Sequence, residues 1–466
     1  MVRSTQCFSA PGKALLAGGY LVLDAENSSF VTALSARIYA LTSSVEQSES
    51  LTPTVTVTSP QFKEGEWSYS LNFSNQSNFI SVSPTDPSRK NPFVSSALTT
   101  VINYLASTGA IGKTKILSLA ITILSDNAYH SQPNDSMPRF NTHSLPINAV
   151  PKTGLGSSAA LTTSIVAALM SFYDCNFQVG ASESKSILHN LAQVAHCNAQ
   201  GKVGSGFDVA SAVYGSITYR RFAPTYVSSI LQAPSSADSS EESRYLESLK
   251  STIESSWTVN TKPCAISRGL RLLMGDVSGG SETPSMVQMV QKWRKEGGES
   301  ARVVWKSLGE ANEKLIKAMV GLGEQANTDA SGYDELISKF AQLNSFEMIS
   351  QGLNSGKIGN LVAEVVKAIQ EIRSLLRAMT AGSGAQIEPA EQTVLLDACS
   401  TLPGVLGGVV PGAGGYDAVC LVVCESAVDE IVKAKSGVLS AVKWLDLREE
   451  ASGVREEDPE SVLKYL

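Results

Sequence analysis

The first quarter of the chain carries short runs rich in valine, threonine and isoleucine, a pattern typical of β-strands separated by turns. Such runs cover residues 31–43 and 52–59 and predict strands there. Residues 92–108 instead place apolar side chains at helical spacing after a proline, which predicts a helix. Residues 126–149 are polar and include three prolines, so they predict a mobile surface loop.

Helical spacing dominates the rest of the chain, with fewer strands between the helices. Helices are predicted over residues 157–173 and 182–200, and long amphipathic helices occupy roughly 300–381. Alternating apolar residues predict strands over 269–276 and 417–424. Short strands with helices between them indicate α/β or α+β domains.

A polar segment near the middle of the chain separates two parts of this pattern. Residues 223–262 lack strong periodicity and contain the run APSSADSSEES, where we place a domain junction. The predicted organisation is an N-terminal domain over 1–225, a junction over 226–262 and a C-terminal domain over 263–466. At 466 residues, the chain is long enough for two domains with sizeable cores.

The most informative stretch covers residues 151–160, PKTGLGSSAA, a glycine-rich turn that leads into a predicted helix. Gly154 and Gly156 lack the side chains that would keep the backbone away from a bulky anion. Ser157 and Ser158 add hydroxyls at a helix N-terminus, where free N–H groups and the helix dipole favour phosphate. No Lys-Ser or Lys-Thr pair follows the second glycine, so this is not a Walker loop, and similar turns precede many ordinary helices.

Two other glycine-rich turns adjoin strand-like runs. Lys13 follows Pro11-Gly12 and precedes ALLAGGYLVLD, from where its ammonium could reach an anionic centre; a solvated turn lysine is the plainer interpretation. Residues 407–416, GGVVPGAGGY, precede DAVCLVVCE, and their glycines permit positive φ angles and close backbone approach. A tight loop between two buried strands would explain the second pattern without a ligand.

Asp208 stands in a fourth glycine-rich segment, GKVGSGFD, directly before VASAVYGSITY. A carboxylate at this place either caps a helix, which is the commoner role, or takes part in catalysis. The segment taken alone leaves both roles open.

The four segments together, in this order, resemble the motifs of the GHMP small-molecule kinases. They read APGKALLAGGYLVL, GLGSSAALTTS, GSGFDVASAVYGS and PGAGGYDA, and they span residues 9–417. Within that superfamily the chain is most similar to phosphomevalonate kinases of the eukaryotic type. This likeness rests on Gly18-Gly19-Tyr20, on Lys152 directly before GLGSS, and on the segment GAQIEPAE at 384–391. The PGAGGYDA motif departs from the superfamily's run of glycines, with Pro411 before the glycines and Tyr416 after them.

The resemblance implies a fold and a reaction. The fold would be α+β in two domains, an N-terminal domain like the second domain of ribosomal protein S5 and a ferredoxin-like C-terminal domain with added helices. The reaction would move the γ-phosphoryl group of ATP, with Mg²⁺, onto the phosphate of 5-phosphomevalonate in isoprenoid and sterol biosynthesis. The predicted partner is this small molecule, with no nucleic acid, membrane or obligate protein partner.

The resemblance also implies roles for individual residues. Lys13 and Asp208 would be catalytic, and the Ser158 hydroxyl would help to hold Mg²⁺. The nucleotide phosphates would bind Gly154, Leu155, Gly156, Ser157, Ser158 and Ala159. The acceptor would bind Lys152, Ser205, Tyr20, Gly412, Ala413 and Gly414. Ser281 and Thr283 are further candidate anion ligands, although a helix cap is the plainer role for them.

The role of Asp208 depends on the acceptor. A phosphomonoester has a second pKa of ~6 and is already mostly nucleophilic at neutral pH. We therefore predict that Asp208 positions Lys13 and the acceptor more than it removes a proton. Two other functions remain open: a mevalonate kinase with an alcohol acceptor, which GGYLVL and Lys152 disfavour, and a non-catalytic ligand sensor. Such a sensor has no chemical need for Lys13, Ser158 and Asp208 together.

Composition narrows the remaining classes. The formal net charge of −7 argues against a surface that coats nucleic acid. Seven cysteines form no CxxC pair and four histidines show no metal-site spacing, which favours reduced thiols without a structural zinc. Pro11 and Lys13 interrupt the apolar N-terminal run, so no signal peptide is predicted, and we expect a cytoplasmic protein.

Overall fold

A computed structural model describes residues 5–45, 52–112, 118–131, 138–230, 233–234, 238–277 and 283–466. The strands form two sheets, and their bounds in chain order are β1 (Gln6–Ala17), β2 (Ser29–Ser44), β3 (Thr54–Thr58), β4 (Glu66–Phe73), β5 (Ile80–Pro84), β6 (Leu119–Ser125), β7 (Ile217–Arg220), β8 (Asn260–Pro263), β9 (Leu270–Val277), β10 (Val405–Val409), β11 (Ala418–Cys424), β12 (Val442–Trp444), β13 (Glu449–Glu450) and β14 (Arg455–Glu457).

The α-helices lie mostly in the last two thirds of the chain, and they are α1 (Pro92–Thr108), α2 (Ser157–Tyr173), α3 (Ser182–Gln200), α4 (Phe207–Tyr214), α5 (Thr225–Ser228), α6 (Ser239–Glu254), α7 (Thr283–Glu296), α8 (Gly298–Thr328), α9 (Ala330–Phe340), α10 (Ser345–Gly352), α11 (Gly356–Ser383), α12 (Ala390–Ser400), α13 (Val428–Lys433) and α14 (Glu460–Leu463). Short 3₁₀ turns cover Gly19–Leu23, Asn127–Tyr129, Glu425–Ala427 and Gly437–Ala441. The predicted helices at 92–108, 157–173 and 182–200 are confirmed.

The first sheet runs in the order β14-β1-β2-β6-β3-β4-β5, with β7 and β13 also pairing with β2, and β8 pairing with β7. Its pairs are antiparallel except β3 with β6. The register of β1 against β2 shifts between Pro11 and Gly12, directly before Lys13. Such an irregularity bends a strand and redirects the side chains that follow it. Helices α2 and α4 pack against β1 and β2, and α2 also packs against α1 and α3.

The second sheet has four antiparallel strands in the order β10-β11-β9-β12. Strand β11 is buried over nearly its whole length, which fits its continuous apolar sequence. The long helices α8 and α11 pack against each other, and α11 and α12 pack against β10. The predicted strand at 417–424 is confirmed at its core, and together the two sheets confirm the α+β class.

Two segments differ from the expected division of the chain. Helix α6 and strand β8 fall within the predicted junction, yet α6 packs against α1 and α3 while β8 pairs with β7. The reason is an apolar stripe on α6, including Tyr245, Leu249 and Ile253, which is buried. Strands β13 and β14, expected in the C-terminal domain, pair with β2 and β1 of the first sheet. The domain boundaries themselves remain a prediction.

The predicted mobile loop at 126–149 is anchored at several of its described residues. Asn127 N donates to Arg139 O at 2.8 Å, and His143 N donates to Gln61 O at 2.7 Å. Phe140 is buried against Tyr39. Residues 132–137 of this loop lie outside the described part of the chain.

Two further features of the described residues concern the cysteines and the crossing of membranes. All seven cysteines lie in described segments and are free thiols. Among the described residues, no helix combines the length and the apolar character that crossing a bilayer requires.

Candidate active site

The glycine-rich turn at 154–156, called the phosphate turn, leads directly into α2, which begins at Ser157. Gly154 and Gly156 have φ angles of 73° and 78°, in the left-handed region that glycine adopts at little cost. The first amides of a helix have no carbonyl partner inside the helix. The turn therefore presents N–H groups and the positive end of the helix dipole to one place, as phosphate binding requires.

Lys13 is attached to this turn at two points. Its backbone N–H donates to Leu155 O at 2.9 Å, and its Nζ donates to Gly154 O at 2.9 Å. A side chain in place of Gly12 would stand 3.0 Å from the Tyr129 hydroxyl and 3.1 Å from Leu155 O. The first glycine of the chain's first motif therefore permits the close approach that brings the lysine onto the phosphate turn.

Asp208 acts electrostatically on Lys13. Burial lowers the pKa of the Lys13 ammonium, and the Asp208 carboxylate partly opposes this by raising the pKa. Asp208 Oδ1 also accepts from the Val209 N–H at 3.0 Å, at the start of α4. Asp208 is not the cap of this helix, because Gly206 is the N-cap of α4 and Asp208 is already the second helical residue. Its role in catalysis remains a prediction.

A histidine links two of the predicted site residues. His196 Nε2 lies 3.1 Å from Ser158 Oγ and 3.8 Å from Asp208 Oδ2. Its side chain is 4% exposed. His196 carries no signal of its own in the sequence, because it lies within an ordinary amphipathic helix pattern without a local motif.

The glycine-rich turn at residues 411–415, called the third turn, is held against the first motif. The Tyr20 hydroxyl donates to Ala413 O at 2.7 Å, and burial raises the pKa of Tyr20. Gly412 and Gly414 have φ angles of 72° and 87°. A side chain at Gly414 would collide with the backbone of Ile387, whose carbonyl accepts from the Gly415 N–H at 3.1 Å.

Ile387 is itself fixed by a buried ion cluster at the neighbouring residue. Glu388 Oε1 lies 2.8 Å from both Arg373 Nη2 and Arg377 Nη1, and the Glu388 side chain is fully buried. A buried carboxylate that is satisfied in this way makes its segment rigid. The segment 384–391, singled out from the sequence by resemblance, therefore supports the third turn from behind.

A cavity of about 290 Å³ collects most of the predicted acceptor residues. Its lining includes Lys13, Tyr20, Gly154, Ser205, Gly412, Ala413 and Gly414. Apolar side chains such as Leu15, Val22 and Met274 complete the wall. Lys13 therefore faces a pocket to which all four motifs contribute residues.

Lys152 lies on the other side of the phosphate turn. It lines a second cavity of about 130 Å³, together with Ser157 and Ser158. Backbone pairing joins Lys152 to His130, whose pKa is lowered to about 4 by burial and then by the nearby charges of His143 and Lys152. The structure thus separates Lys152 from the predicted acceptor residues of the first cavity.

Two further residues that the sequence analysis missed hold the Ser205 segment in place. The Tyr219 hydroxyl donates to Ser205 O at 2.7 Å. Arg221 donates to Gly204 O at 2.6 Å and to Leu23 O at 2.8 Å. Both follow the motif at the end of β7, so only the fold reveals their contact with it.

Metal and anion candidates complete the site. Within the described segments, no group of three or more histidine, cysteine, aspartate or glutamate side chains could hold a metal ion. The oxygen donors near the phosphate turn include the Ser157 and Ser158 hydroxyls and, across His196, the Asp208 carboxylate. Ser281 lies outside the described residues, and Thr283 is the first residue of α7.

Comparison with known proteins identifies the class of this fold. Residues 138–216 match the model of the GHMP kinases N terminal domain. The fold is similar to that of Streptococcus pneumoniae phosphomevalonate kinase in complex with phosphomevalonate and AMPPNP. The TM-score is 0.59 at 15% sequence identity, over 97% of this chain and 100% of the other. The chain therefore has the GHMP kinase fold that its motifs predicted.

Curated relatives narrow the class. A phosphomevalonate kinase of Candida albicans is 39% identical, over 98% of this chain and 99% of the relative. An Arabidopsis thaliana protein named phosphomevalonate kinase, peroxisomal, is 34% identical over 96% of this chain and 95% of the relative. The chain belongs to the phosphomevalonate kinase family. The predicted family and the predicted class of ATP-dependent kinase are confirmed.

Proposed function

We propose that this protein transfers the γ-phosphoryl group of ATP to the phosphate of (R)-5-phosphomevalonate, giving 5-diphosphomevalonate and ADP. The observation that carries the proposal is the first cavity, where Lys13 faces Ser205 and the third glycine-rich turn at the edge of the phosphate turn. Membership of the phosphomevalonate kinase family indicates that the acceptor is phosphomevalonate, and the first cavity offers a place for this acceptor next to Lys13.

The nucleotide would occupy the second cavity. Its phosphates would approach the first amides of α2 at Ser157 and Ser158, where the dipole favours anions. Apolar and aromatic side chains in the same cavity, including Phe62, Trp67 and Pro92, suit a purine base. Donor and acceptor would then meet across the turn at 154–156, on which the Lys13 ammonium already rests.

Magnesium fits the donors present near the turn. Mg²⁺ takes oxygen ligands and keeps several waters, so one hydroxyl and the nucleotide phosphates satisfy it without a carboxylate cage. Ser158 would provide that hydroxyl, with the Asp208 carboxylate nearby. When bound, the ion would neutralise charge on the phosphoryl group and help to align it.

The chain's own residues would then do the following work. The Lys13 ammonium would stabilise negative charge on the transferred group, in a partly desolvated place where such an interaction is strong. Asp208 would keep Lys13 protonated and oriented, since its charge raises the pKa of that ammonium. The acceptor phosphate needs little help in losing a proton, so Asp208 would act mainly by position.

Turnover with matched acceptors tests the proposal. Purified protein with ATP and Mg²⁺ should release ADP with 5-phosphomevalonate and show no matching turnover with mevalonate. Turnover with mevalonate alone would replace the proposal with an alcohol kinase. Nucleotide binding without turnover on either acceptor would favour a ligand sensor instead.

Lys152 deserves a separate test because the second cavity, not the first, contains it. Its predicted contact with the acceptor phosphate remains a prediction. Since Lys152 shares the cavity with Ser157 and Ser158, Lys152→Met should raise the KM for ATP more than the KM for the acceptor. The opposite ranking would restore the acceptor role, and Lys90→Met, at the same cavity, provides a matched control.

Cytoplasmic location is a further part of the proposal. The plant relative named as peroxisomal makes the alternative concrete. Fluorescence microscopy of the tagged full-length chain should show diffuse cytoplasmic signal, and signal confined to peroxisomes would overturn this part.

A further inference from the structure

His196 stands where three elements of the site meet. It lies near the end of α3, and its Nε2 atom faces the start of α2 and the start of α4. Ser158 Oγ is 3.1 Å away, Gln200 Nε2 is 3.3 Å away and Asp208 Oδ2 is 3.8 Å away. No role has been assigned to this histidine in the reaction described above.

The geometry sets the direction of the Ser158 hydroxyl. With the Gln200 amide as donor, His196 Nε2 carries the lone pair, and the ring proton resides on Nδ1. This single lone pair then accepts a hydrogen bond from the Ser158 hydroxyl, the nearer of the two donors at 3.1 Å, and the Gln200 amide at 3.3 Å shares it as the longer contact. A hydroxyl whose proton points at the histidine presents its oxygen lone pairs elsewhere, and Ser158 also lines the nucleotide cavity.

The histidine ring is well placed to keep this orientation. Its side chain is almost completely buried, and the Phe93 ring lies 5.6 Å from it between centroids. Phe93 also lines the second cavity. A buried ring with a packed neighbour loses little additional entropy when it orients a hydroxyl, which makes it an effective support for a ligand group.

We propose that His196 is a positioning residue that accepts the Ser158 hydroxyl proton at Nε2 and thereby turns the Ser158 oxygen toward the metal-bound nucleotide. The inference rests on the proposed function, since it needs Mg²⁺ and ATP at the phosphate turn. His196 is not itself a ligand for Mg²⁺, because that ion prefers oxygen and the Nε2 lone pair already faces the Ser158 hydroxyl.

Two substitutions of similar length separate this role from simple packing. His196→Gln places an amide oxygen near the original Nε2 position and can accept the Ser158 proton. His196→Met fills a similar volume without a comparable acceptor. A packing role predicts the same result for both, whereas the positioning role predicts rescue by glutamine alone.

Equilibrium binding provides the readout, independent of turnover. Calorimetry would measure the Kd of a non-hydrolysable ATP analogue in Mg²⁺ and again in EDTA. Wild type and His196→Gln should both show tightening by Mg²⁺, with values within ~3-fold of each other. His196→Met should lose ~10-fold or more of that tightening, on the scale for groups that support a metal ligand, with little change in EDTA.

Two controls keep the test decisive. His189→Met makes the same change two turns earlier on α3, where the ring contacts Asn190, Tyr214 and Trp257 instead of the site, and it should leave the Mg²⁺ effect unchanged. If His196→Met fails to fold, His196→Asn replaces it, because its shorter amide stays polar but cannot reach Ser158. A retained Mg²⁺ effect in whichever of the two folds would overturn the inference.

The outcomes also distinguish this inference from the proposed function. Wild-type protein that binds the analogue equally in Mg²⁺ and EDTA would overturn the proposed metal site, and the inference with it. Wild-type protein with a Mg²⁺ effect that His196→Met shares would overturn only the role of His196.

Discussion

Two of the glycine-rich turns that line the first cavity make room for different neighbours. In the phosphate turn, the atoms nearest to a side chain added at Gly156 belong to Lys13, the first at 3.0 Å. In the third turn, the atoms nearest to a side chain added at Gly414 belong to the backbone of Ile387. Gly156 leaves room for the Lys13 side chain, and Gly414 lets the third turn pack against the backbone of Ile387.

This difference predicts which property, activity or stability, a substitution in each turn impairs. Substitutions around the phosphate turn should impair phosphoryl transfer while the protein stays folded, since the groups there are held for chemistry. Substitutions in the third turn should first weaken folding, because its backbone is packed against Ile387 and the buried Glu388 cluster. Substitutions test this division between loss of activity and loss of stability, from the largest expected effect to the smallest.

Removing the charge at Lys13 should have the largest effect. Lys13→Met is expected to reduce kcat by ~10³-fold, because a cation that stabilises the transferred group is worth about that much. The melting temperature should change little, since burial already disfavours the charged ammonium. Steady-state kinetics and a thermal melt measure the two effects, and a large drop in melting temperature would contradict the division.

Asp208→Asn should reduce kcat by at least ~10²-fold, on the scale for a positioned acid-base group. It should also shift the pH profile, because burial already lowers the pKa of Lys13 and the Asp208 charge raises it. Without that charge Lys13 loses its proton at lower pH, so the alkaline fall in kcat should move to lower pH. A loss of less than a few-fold would remove Asp208 from the mechanism.

Two alanine substitutions in the third turn compare the cost of backbone strain alone with the cost of strain plus a steric collision. Gly412 has a positive φ but open space around it, so Gly412→Ala should cost roughly 1–2 kcal/mol of stability. Gly414 adds a backbone collision, so Gly414→Ala should cost about 3 kcal/mol or more. Urea unfolding measures both, and equal losses would show that Ile387 does not constrain the turn.

Tyr20→Phe should give the smallest effect. It removes the hydrogen bond from the Tyr20 hydroxyl to Ala413 O and leaves one carbonyl without that donor, at a cost of about 1 kcal/mol. The KM for the acceptor should rise a few-fold, because this bond connects the first motif to the third turn. An unchanged KM would indicate that the turn keeps its place without Tyr20.

The local parts of this architecture could be predicted from the sequence. Helix α2 begins and ends where predicted because glycines precede it and its apolar run ends at Tyr173. The motifs also identified Lys13 and the phosphate turn, which the structure brings into direct contact. Glycine adopts local backbone conformations that other residues rarely adopt, so the positions of glycines in the sequence predict turns in the fold.

The contacts between distant segments could not be predicted in the same way. Ser158 and His196 are 38 positions apart, and no periodic pattern connects them. The return of β14 to pair with β1 depends on the arrangement of the whole chain, as does the position of Lys152 in the second cavity. Strand pairing and cavity walls follow from tertiary packing, which the sequence pattern of one segment does not contain.

The central claim is that a phosphate oxygen accepts the phosphoryl group in the cavity beside Lys13. Phosphorus NMR of the products from ATP, Mg²⁺ and 5-phosphomevalonate tests it most directly, because a new P–O–P bond couples two phosphorus nuclei. The account predicts a pair of coupled doublets from the diphosphate product, formed in step with ADP. Two uncoupled monoester signals, or inorganic phosphate alone, would contradict it.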